Sequence, residues 1–208
     1  MTAGTVILWR HGQTDFNREF RVQGGVDVPL NETGVSQAAA SAALLHRYLG
    51  TAPVAVVSST LMRARQTALA LADVLGVEIA EDERLRERAF GLWEGLTRDQ
   101  MVAGWPQEYT LWKSGSTPSG IGMETRTAVA ERVEAAVLEH AGRHAPEITL
   151  VVVSHGSATS QALGRMLRAP GDAPFPVRAL DNAHWSTLQH APTLTPPWRL
   201  QAHNLGPL

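Results

Sequence analysis

Short apolar runs alternate along this chain with longer stretches in which apolar residues recur every three or four positions. Thr5 to Leu8, Pro53 to Val57 and Ile148 to Val153 are compact runs that predict buried strands. Val35, Ala38, Ala39, Ala42, Leu45 and Leu49 keep helical spacing, with Thr33 as the expected N-cap and Gly50 as the stop. Thr60 to Leu75 repeats that period and closes at Gly76. Thr125 reads as the N-cap of a helix to about Ala141, with Val129, Val133 and Val137 on one face, and another helix follows Val153 to about Leu167. His184 to His190 and Trp198 to His203 are weaker strand candidates. This rhythm predicts an α/β fold: a three-layer α/β/α sandwich with a mostly parallel central sheet and helices on both faces.

Asp15 to Asn31 reads as a loop, and Glu81 to Arg88 is dense in charge and ambiguous. The stretch 91–122 is rich in Trp, Gly, Pro and Ser, predicting short helices and loops that act as a lid or insertion. No repeat, low-complexity segment or linker divides the chain, so residues 1–208 are expected to form one domain with a substantial core.

Two strands end alike, one at Arg10-His11-Gly12 and one at Ser154-His155-Gly156. In open α/β sheets ligands bind beyond the carboxyl ends of strands. Neighbouring strands ending this way would bring two imidazoles to one crevice, and the helix opening at Ser59-Thr60-Leu61-Met62-Arg63 could bring Arg63 there too. Converging arginines and a helix N-terminus suit a phosphate group.

Composition narrows the chemistry. A net charge of −2 argues against nucleic acid or an anionic membrane as partner. No apolar run reaches a membrane span, and no basic region precedes the first strand, so the default expectation is the cytoplasm. The absence of cysteine excludes disulfides, thiol nucleophiles and thiolate metal sites. Lys113 is the sole lysine, no Gly-x-x-x-x-Gly-Lys loop exists, and Ser157 does not sit in a hydrolase elbow. His140 and His144 stand four apart, but Gly142 lies between them and Pro146 follows. They read as cations at a fraying helix end rather than as zinc ligands. No metal site and no cofactor are expected.

Arg10-His11-Gly12-Gln13-Thr14, Asn17, Gln23-Gly24, Asp27, Pro29-Leu30, Gly34, Gln37-Ala38, Ser59, Leu61, Arg63-Ala64, Gln66-Thr67-Ala68, Leu85-Arg86-Glu87, Phe90-Gly91, Trp93-Glu94-Gly95 and Ser154-His155-Gly156 fall in order along the chain. Together they resemble the histidine phosphatase superfamily, also called phosphoglycerate-mutase-like. The Arg-His-Gly-Gln-Thr-Asp opening and Asn182-Ala183-His184-Trp185 are similar to small actinobacterial members. The resemblance implies that His11 is the nucleophile, forming a phosphohistidine as a neutral imidazole. It implies that Arg10, Arg63 and His155 clamp the phosphoryl oxygens, which is most of catalysis in phosphoryl transfer. Glu87 would protonate the leaving oxygen and then take a proton from water. Asn17, Gln23, Gly24 and Gly156 would complete the phosphate site. Composition alone leaves Glu81, Glu83 and Glu87 open; only the Leu-Arg-Glu-x-x-Phe-Gly match selects Glu87.

Two departures from the family pattern stand out. Trp9 replaces an aliphatic residue and is expected to crowd the site floor; Met123 replaces a glycine and is expected to narrow the pocket, which puts a substrate contact by Glu124 in doubt.

Three functions follow in order of preference: a phosphomonoesterase acting on small phosphorylated metabolites, a phosphoglycerate mutase, and a phospho-ligand binding module without chemistry. Related mutases carry a longer segment between the acid and the second histidine and a tail over the site, to keep water from the phosphoenzyme. Here only 68 residues lie from Glu87 to His155, and little chain follows Trp198. The substrate is not legible in 91–122. Its Trp93, Trp105 and Trp112 suit core packing or a lid, and its cations, Arg98 and Lys113, are few. That composition predicts a small, weakly charged or neutral alcohol moiety. The oligomeric state, a homodimer included, stays open.

Overall fold

The structure is a computed structural model that describes residues 2–167 and 177–207. In chain order the elements are β1 (Thr5–Arg10), α1 (Asp15–Arg18), α2 (Glu32–Leu49), β2 (Val54–Ser58), α3 (Met62–Leu75), β3 (Ile79–Glu81), α4 (Arg98–Gly104), α5 (Pro106–Lys113), α6 (Arg126–Gly142), β4 (Thr149–Ser154), α7 (Gly156–Met166), β5 (Trp185–His190) and β6 (Trp198–Leu205). Short 3-10 turns cover Glu83–Leu85 and Gly91–Trp93.

The six strands form one sheet in the order β3-β2-β4-β1-β5-β6. β1, β2, β3 and β4 pair in parallel, whereas β5 and β6 run antiparallel at one side. Side chains alternate across a strand, so a strand covered on both faces is apolar throughout. Val6 and Leu8 of β1, with Leu150 and Val152 of β4, pack against Val129, Val133 and Val137 of α6 and Ala162 and Leu163 of α7. Ile7 and Trp9, with Val151 and Val153, pack on the opposite face against Ala42 and Leu45 of α2 and Ala68 and Leu71 of α3. The mostly parallel three-layer sandwich expected from the pattern is the observed one.

Local chemistry moves several boundaries. Asn31, not Thr33, caps α2, its side chain accepting the Gly34 N–H at 2.8 Å, so the helix begins earlier than Thr33 suggests. α3 begins at Met62 and has no side-chain cap of its own; Asp27 reaches in from the preceding loop to accept the Met62 N–H at 2.7 Å. The ambiguous charged stretch begins at Glu81, the last residue of the edge strand β3, and holds the turn Glu83–Leu85. His140 is not at a fraying end: it is buried, with Nε2 3.0 Å from Asp82 Oδ2.

Trp9 does not crowd the site. Its alternation puts the indole in the α2/α3 core, where Nε1 donates to the Ala183 carbonyl at 3.0 Å. A third apolar cluster lies in the segment after β3: Trp93, Met101, Ile121 and Met123, with Trp105, Tyr109 and Trp112 packed on them. Met123 thus fills this cluster, and the tryptophans chiefly build it.

Candidate active site

β1 and β4 are adjacent and parallel, with Arg10 opposite Ser154. The residues following each strand therefore emerge side by side, and the His11 N–H donates to the Ser154 carbonyl at 3.0 Å. α2, which follows β1 after the short α1, lies on one face of the sheet and α7, after β4, on the other. Chains that part this way open a crevice at the strand ends. His11 and His155 meet there, both buried, with ring centroids 5.2 Å apart.

The two imidazoles are held differently. His11 Nδ1 lies 2.6 Å from the Gly12 carbonyl. A carbonyl only accepts, so Nδ1 carries the proton and Nε2 presents a lone pair. Burial, then Arg63 and Arg10, push the His11 pKa well below its ordinary 6.5, and the Gly12 contact opposes this only weakly. His155 accepts from Arg63 Nε at Nδ1, at 3.2 Å, so its proton sits on Nε2, 2.8 Å from Ser59 Oγ. Burial, Arg63, His11 and Arg10 lower its pKa too. Both rings are neutral near pH 7.

Arg63 comes from the first turn of α3 and is wholly buried. Its Nη1 donates to Val26 O at 2.8 Å and Nη2 to Gly24 O at 2.9 Å. Among the described residues no carboxylate pairs with it directly, and burial pushes its pKa down to about 10. Arg10 Nη1 donates to Leu180 O at 2.6 Å, while its buried Nε has no partner. Gly156 lets Arg10 lie close: a Cβ there would stand 3.4 Å from the guanidinium carbon. A buried guanidinium, Arg63, and a half-buried one, Arg10, without a direct counter-ion among the described residues are costly, and an arriving dianion would relieve that cost.

Glu87 lies across the crevice on the first turn of α7. Its Oε2 accepts the Ser157 N–H at 3.0 Å, and its Oε1 accepts the Ala158 and Arg88 N–H groups, each at 2.8 Å. A helix N-terminus is a natural seat for a carboxylate. The other candidate glutamates are elsewhere: Glu83 is exposed near Arg86, and Glu81 pairs with Arg65 at 2.8 Å.

The remaining expected residues close the rim. Asn17 Oδ1 is taken by the Thr14 N–H and by Asn182 Nδ2, at 3.1 and 3.2 Å, which leaves its own amide N–H groups uncommitted. Gln23 is buried, and its Oε1 lacks a partner. Gly24 has φ +53°, and a Cβ there would come within 2.1 Å of Glu94 Oε1, so both backbone and packing demand glycine. Glu94 Oε1 in turn accepts from Gly25 N at 3.0 Å and Phe90 N at 2.9 Å, tying the glycine turn to the 91–122 segment.

Four residues given no role by sequence reasoning hold this constellation. Ser59 orients His155, and Asn182 donates to the His11 carbonyl at 3.1 Å. Glu94 and Arg132 fix loops. Ser59, Glu94 and Asn182 lay inside the matched pattern, but nothing local distinguished them from turn residues. Glu124 has no oxygen to spare for substrate, because Arg132 and the Ala89 N–H engage both. Among the described residues no three His, Cys, Asp or Glu side chains gather to hold a metal ion. No described helix is long and apolar enough to cross a membrane.

A crevice at parallel strand ends, with paired neutral imidazoles and two arginines that among the described residues lack a direct ion pair, is the site of a phosphoryl-transfer protein. The chain belongs to the histidine phosphatase superfamily, branch 1, whose family model matches residues 6–204. It is 34% identical over 195 residues to a glucosyl-3-phosphoglycerate phosphatase of Mycobacterium tuberculosis, covering 90% of this chain and 86% of that one. A solved mycobacterial glucosyl-3-phosphoglycerate phosphatase in complex with VO3 superposes with a TM-score of 0.86 at 33% identity, over 97% of this chain and 99% of that one. A protein named as a probable phosphoglycerate mutase, from Photorhabdus laumondii, is 33% identical over 93% of this chain and 89% of its own. This chain is a histidine phosphatase, a phosphoric monoester hydrolase.

Proposed function

We propose that the chain hydrolyses small phosphorylated metabolites in two steps through a phosphohistidine, with no metal ion. The observation that carries this is the bare Nε2 of neutral His11 beside Arg10 and Arg63. In the first step Nε2 attacks phosphorus, the N–P bond forms, and the P–O bond to the substrate alcohol breaks. Glu87 gives its proton to the departing oxygen. In the second step water attacks phosphorus, Glu87 takes the proton, the N–P bond breaks, and inorganic phosphate leaves with His11 restored. Arg10 and Arg63 neutralise the charge on the transferred oxygens. His155 keeps Arg63 oriented through Nδ1, and its Nε2–H, now on Ser59, is the one proton it can offer to phosphate. Asn17, Gln23, Gly24 and the Gly156 N–H would donate to the same oxygens. The whole chain acts as one catalytic domain with residues 91–122 as its lid, and it works in the cytoplasm.

The relatives support a sugar or glycerate monophosphate as substrate, since one is named for a glucosylated phosphoglycerate. A mutase is the second reading, favoured by the relative that bears that name. p-Nitrophenyl phosphate hydrolysis, measured beside 2-/3-phosphoglycerate interconversion in one preparation, separates them. Hydrolysis lost in His11→Ala, with an acid-labile and base-stable phosphoenzyme in the wild type, is the expected result. Interconversion outrunning hydrolysis would establish the mutase, and an acid-stable phosphoenzyme would remove His11 as the nucleophile.

A further inference from the structure

The Arg10 guanidinium keeps its place by one hydrogen bond. Nη1 donates to the Leu180 carbonyl at 2.6 Å, and among the described residues the guanidinium makes no other. Its buried Nε has no partner. Nε and Nη2 lie along one edge of the group, so that edge is left as a fork for two oxygens. Where the fork points therefore depends on where the Leu180 carbonyl stands.

Leu180 lies in no helix or strand. What holds its carbonyl comes from β6. The next residue, Asp181, donates its N–H to Asn204 Oδ1 at 2.8 Å, and its Oδ2 accepts from Asn204 Nδ2 at 2.8 Å. The Leu180 carbonyl and the Asp181 N–H belong to one planar peptide group. That group is gripped at both ends, by Arg10 at its oxygen and by Asn204 at its nitrogen.

Asn204 reaches the loop because β6 is irregular. Between the pairs Thr187–Ala202 and Trp185–Leu205, β6 carries one residue more than β5, which is a β-bulge. Asn204 takes φ +56° there, a left-handed state that asparagine tolerates better than most residues. Bulges re-aim side chains, and this one turns Asn204 towards Asp181. Ala183, in the same loop, is left-handed too, at φ +60°. Its N–H donates to the His11 carbonyl at 3.0 Å, and its own carbonyl accepts from Ser41 Oγ at 2.6 Å. Strain of this kind persists where the surroundings over-determine it, as they do at active sites.

We propose that Asn204 and Asp181 are positioning residues for Arg10: their reciprocal pair fixes the peptide plane whose carbonyl aims the Arg10 fork at phosphate. The last strand of the sheet thereby sets phosphate affinity. The proposal rests on the phosphatase reading, which makes Arg10 a phosphate ligand. An arginine held in advance binds an oxyanion without first losing its side-chain freedom. Arg10 serves the phosphoryl group whatever alcohol it carries, so loosening it weakens every phosphate ester alike.

The test reads the inhibition constant of inorganic phosphate, with kcat/KM for p-nitrophenyl phosphate and for an alkyl phosphate, beside urea melts. Asn204→Gly removes the amide and keeps the left-handed backbone accessible. Asn204→Asp removes the donor and sets two carboxylates face to face. D181N/N204D restores both hydrogen bonds with the side-chain donor and acceptor exchanged. Phosphate inhibition should weaken about tenfold in each single variant and return to within about threefold of wild type in the double one, as one or two net hydrogen bonds allow. kcat/KM should fall in step on both substrates, unlike the loss of a general acid, which an alkyl phosphate feels more. In an Arg10→Ala background Asn204→Gly should weaken phosphate inhibition no further, since no guanidinium is left to aim. Where one single variant does not fold, the other decides. Wild-type phosphate inhibition in a folded single variant, no recovery in D181N/N204D, or a full further loss on top of Arg10→Ala would overturn the proposal, and the pair would then matter for stability alone. A wild type that phosphate does not inhibit and that hydrolyses neither substrate would instead overturn the phosphatase reading beneath it.

Discussion

Arg132 holds Glu124 with both arms of its guanidinium, Nε to Oε1 at 2.7 Å and Nη2 to Oε2 at 2.8 Å. The donors left over reach the loop that carries Glu87: Nη1 to the carbonyls of Arg84 and Arg86, each at 2.7 Å, and Nη2 to that of Glu87 at 3.1 Å. Arg88 Nε adds a bond to the Glu124 carbonyl at 2.7 Å. A loop of poor intrinsic regularity is thereby fastened to the start of α6. The side chain of Glu87 reaches the α7 N-terminus because its backbone is held by Arg132.

This makes Arg132 a positioning residue with a measurable consequence. Arg132→Met should destabilise the fold by about 2 kcal/mol, below the range for a fully buried pair since both side chains are partly exposed. It should also slow an alkyl phosphate more than p-nitrophenyl phosphate, because only the former needs a well-placed acid. Arg132→Lys keeps the charge but loses the fork and should fall between. Urea denaturation and the two rates measure this. Equal losses on both substrates would make Arg132 a purely structural residue.

Glu87→Gln tests the acid itself. General acid help contributes roughly 10²–10⁴-fold, and it matters most for a poor leaving group. In single-turnover phosphorylation the variant should therefore lose far more on an alkyl phosphate than on p-nitrophenyl phosphate. Single turnover is needed because the same carboxyl serves the second step. Equal losses would assign the proton to another group.

The layers of the fold and the meeting of His11 with His155 were readable because both follow from local pattern. β1 and β4 are apolar runs that both end in a polar residue and then His-Gly, and strands covered on both faces leave few alternatives. The side on which a strand residue points was less readable: Trp9 was expected to crowd the site floor because it replaces an aliphatic residue, yet alternation sends it into the core. Helix starts were misplaced where the cap came from elsewhere, as Asp27 does for α3. Arg132 was invisible since three of its five hydrogen bonds go to carbonyls, and a carbonyl leaves no mark in sequence. His140 was misread for the same reason: Asp82, its partner, is 58 residues away.

That pair has its own pH dependence. Arg84, its backbone N–H and His140 hold the Asp82 carboxyl at about 2, down from 3.8. The group's folded pKa lies below its unfolded value, so its stabilisation is present above about pH 4 and disappears as pH falls towards 2. Asp82→Asn should cost about 2 kcal/mol at pH 7. The gap between variant and wild type, read from urea melts, should narrow between pH 4 and pH 2. A gap of constant size across that range would show that the carboxylate's charge contributes nothing.

The histidines act over a different window. Buried and facing Arg63 and Arg10, His11 and His155 have folded pKa values well below 6.5. In the unfolded chain they titrate near 6.5. Below that pH the unfolded state binds protons that the folded state refuses, so stability falls as pH drops from about 6.5. Each group contributes up to about 1.4 kcal/mol per pH unit in that interval. The loss per pH unit between pH 6 and pH 5 should therefore be smaller in His11→Asn than in the wild type, and smaller again in a double variant with His155→Asn, where neither site titrates. Catalysis draws on the same shift. His11 stays a free nucleophile at pH values where an ordinary imidazole would be protonated. Hydrolysis should accordingly persist below pH 6.5, where an ordinary imidazole would be protonated. Two measurements check the argument together: chemical denaturation of the three proteins from pH 7 to pH 5, and kcat/KM for p-nitrophenyl phosphate over a wider range. Identical stability slopes in all three proteins, or a kcat/KM that falls away below about pH 6.5 as an ordinary imidazole would, would mean that His11 does not enter the reaction as the buried neutral imidazole described above.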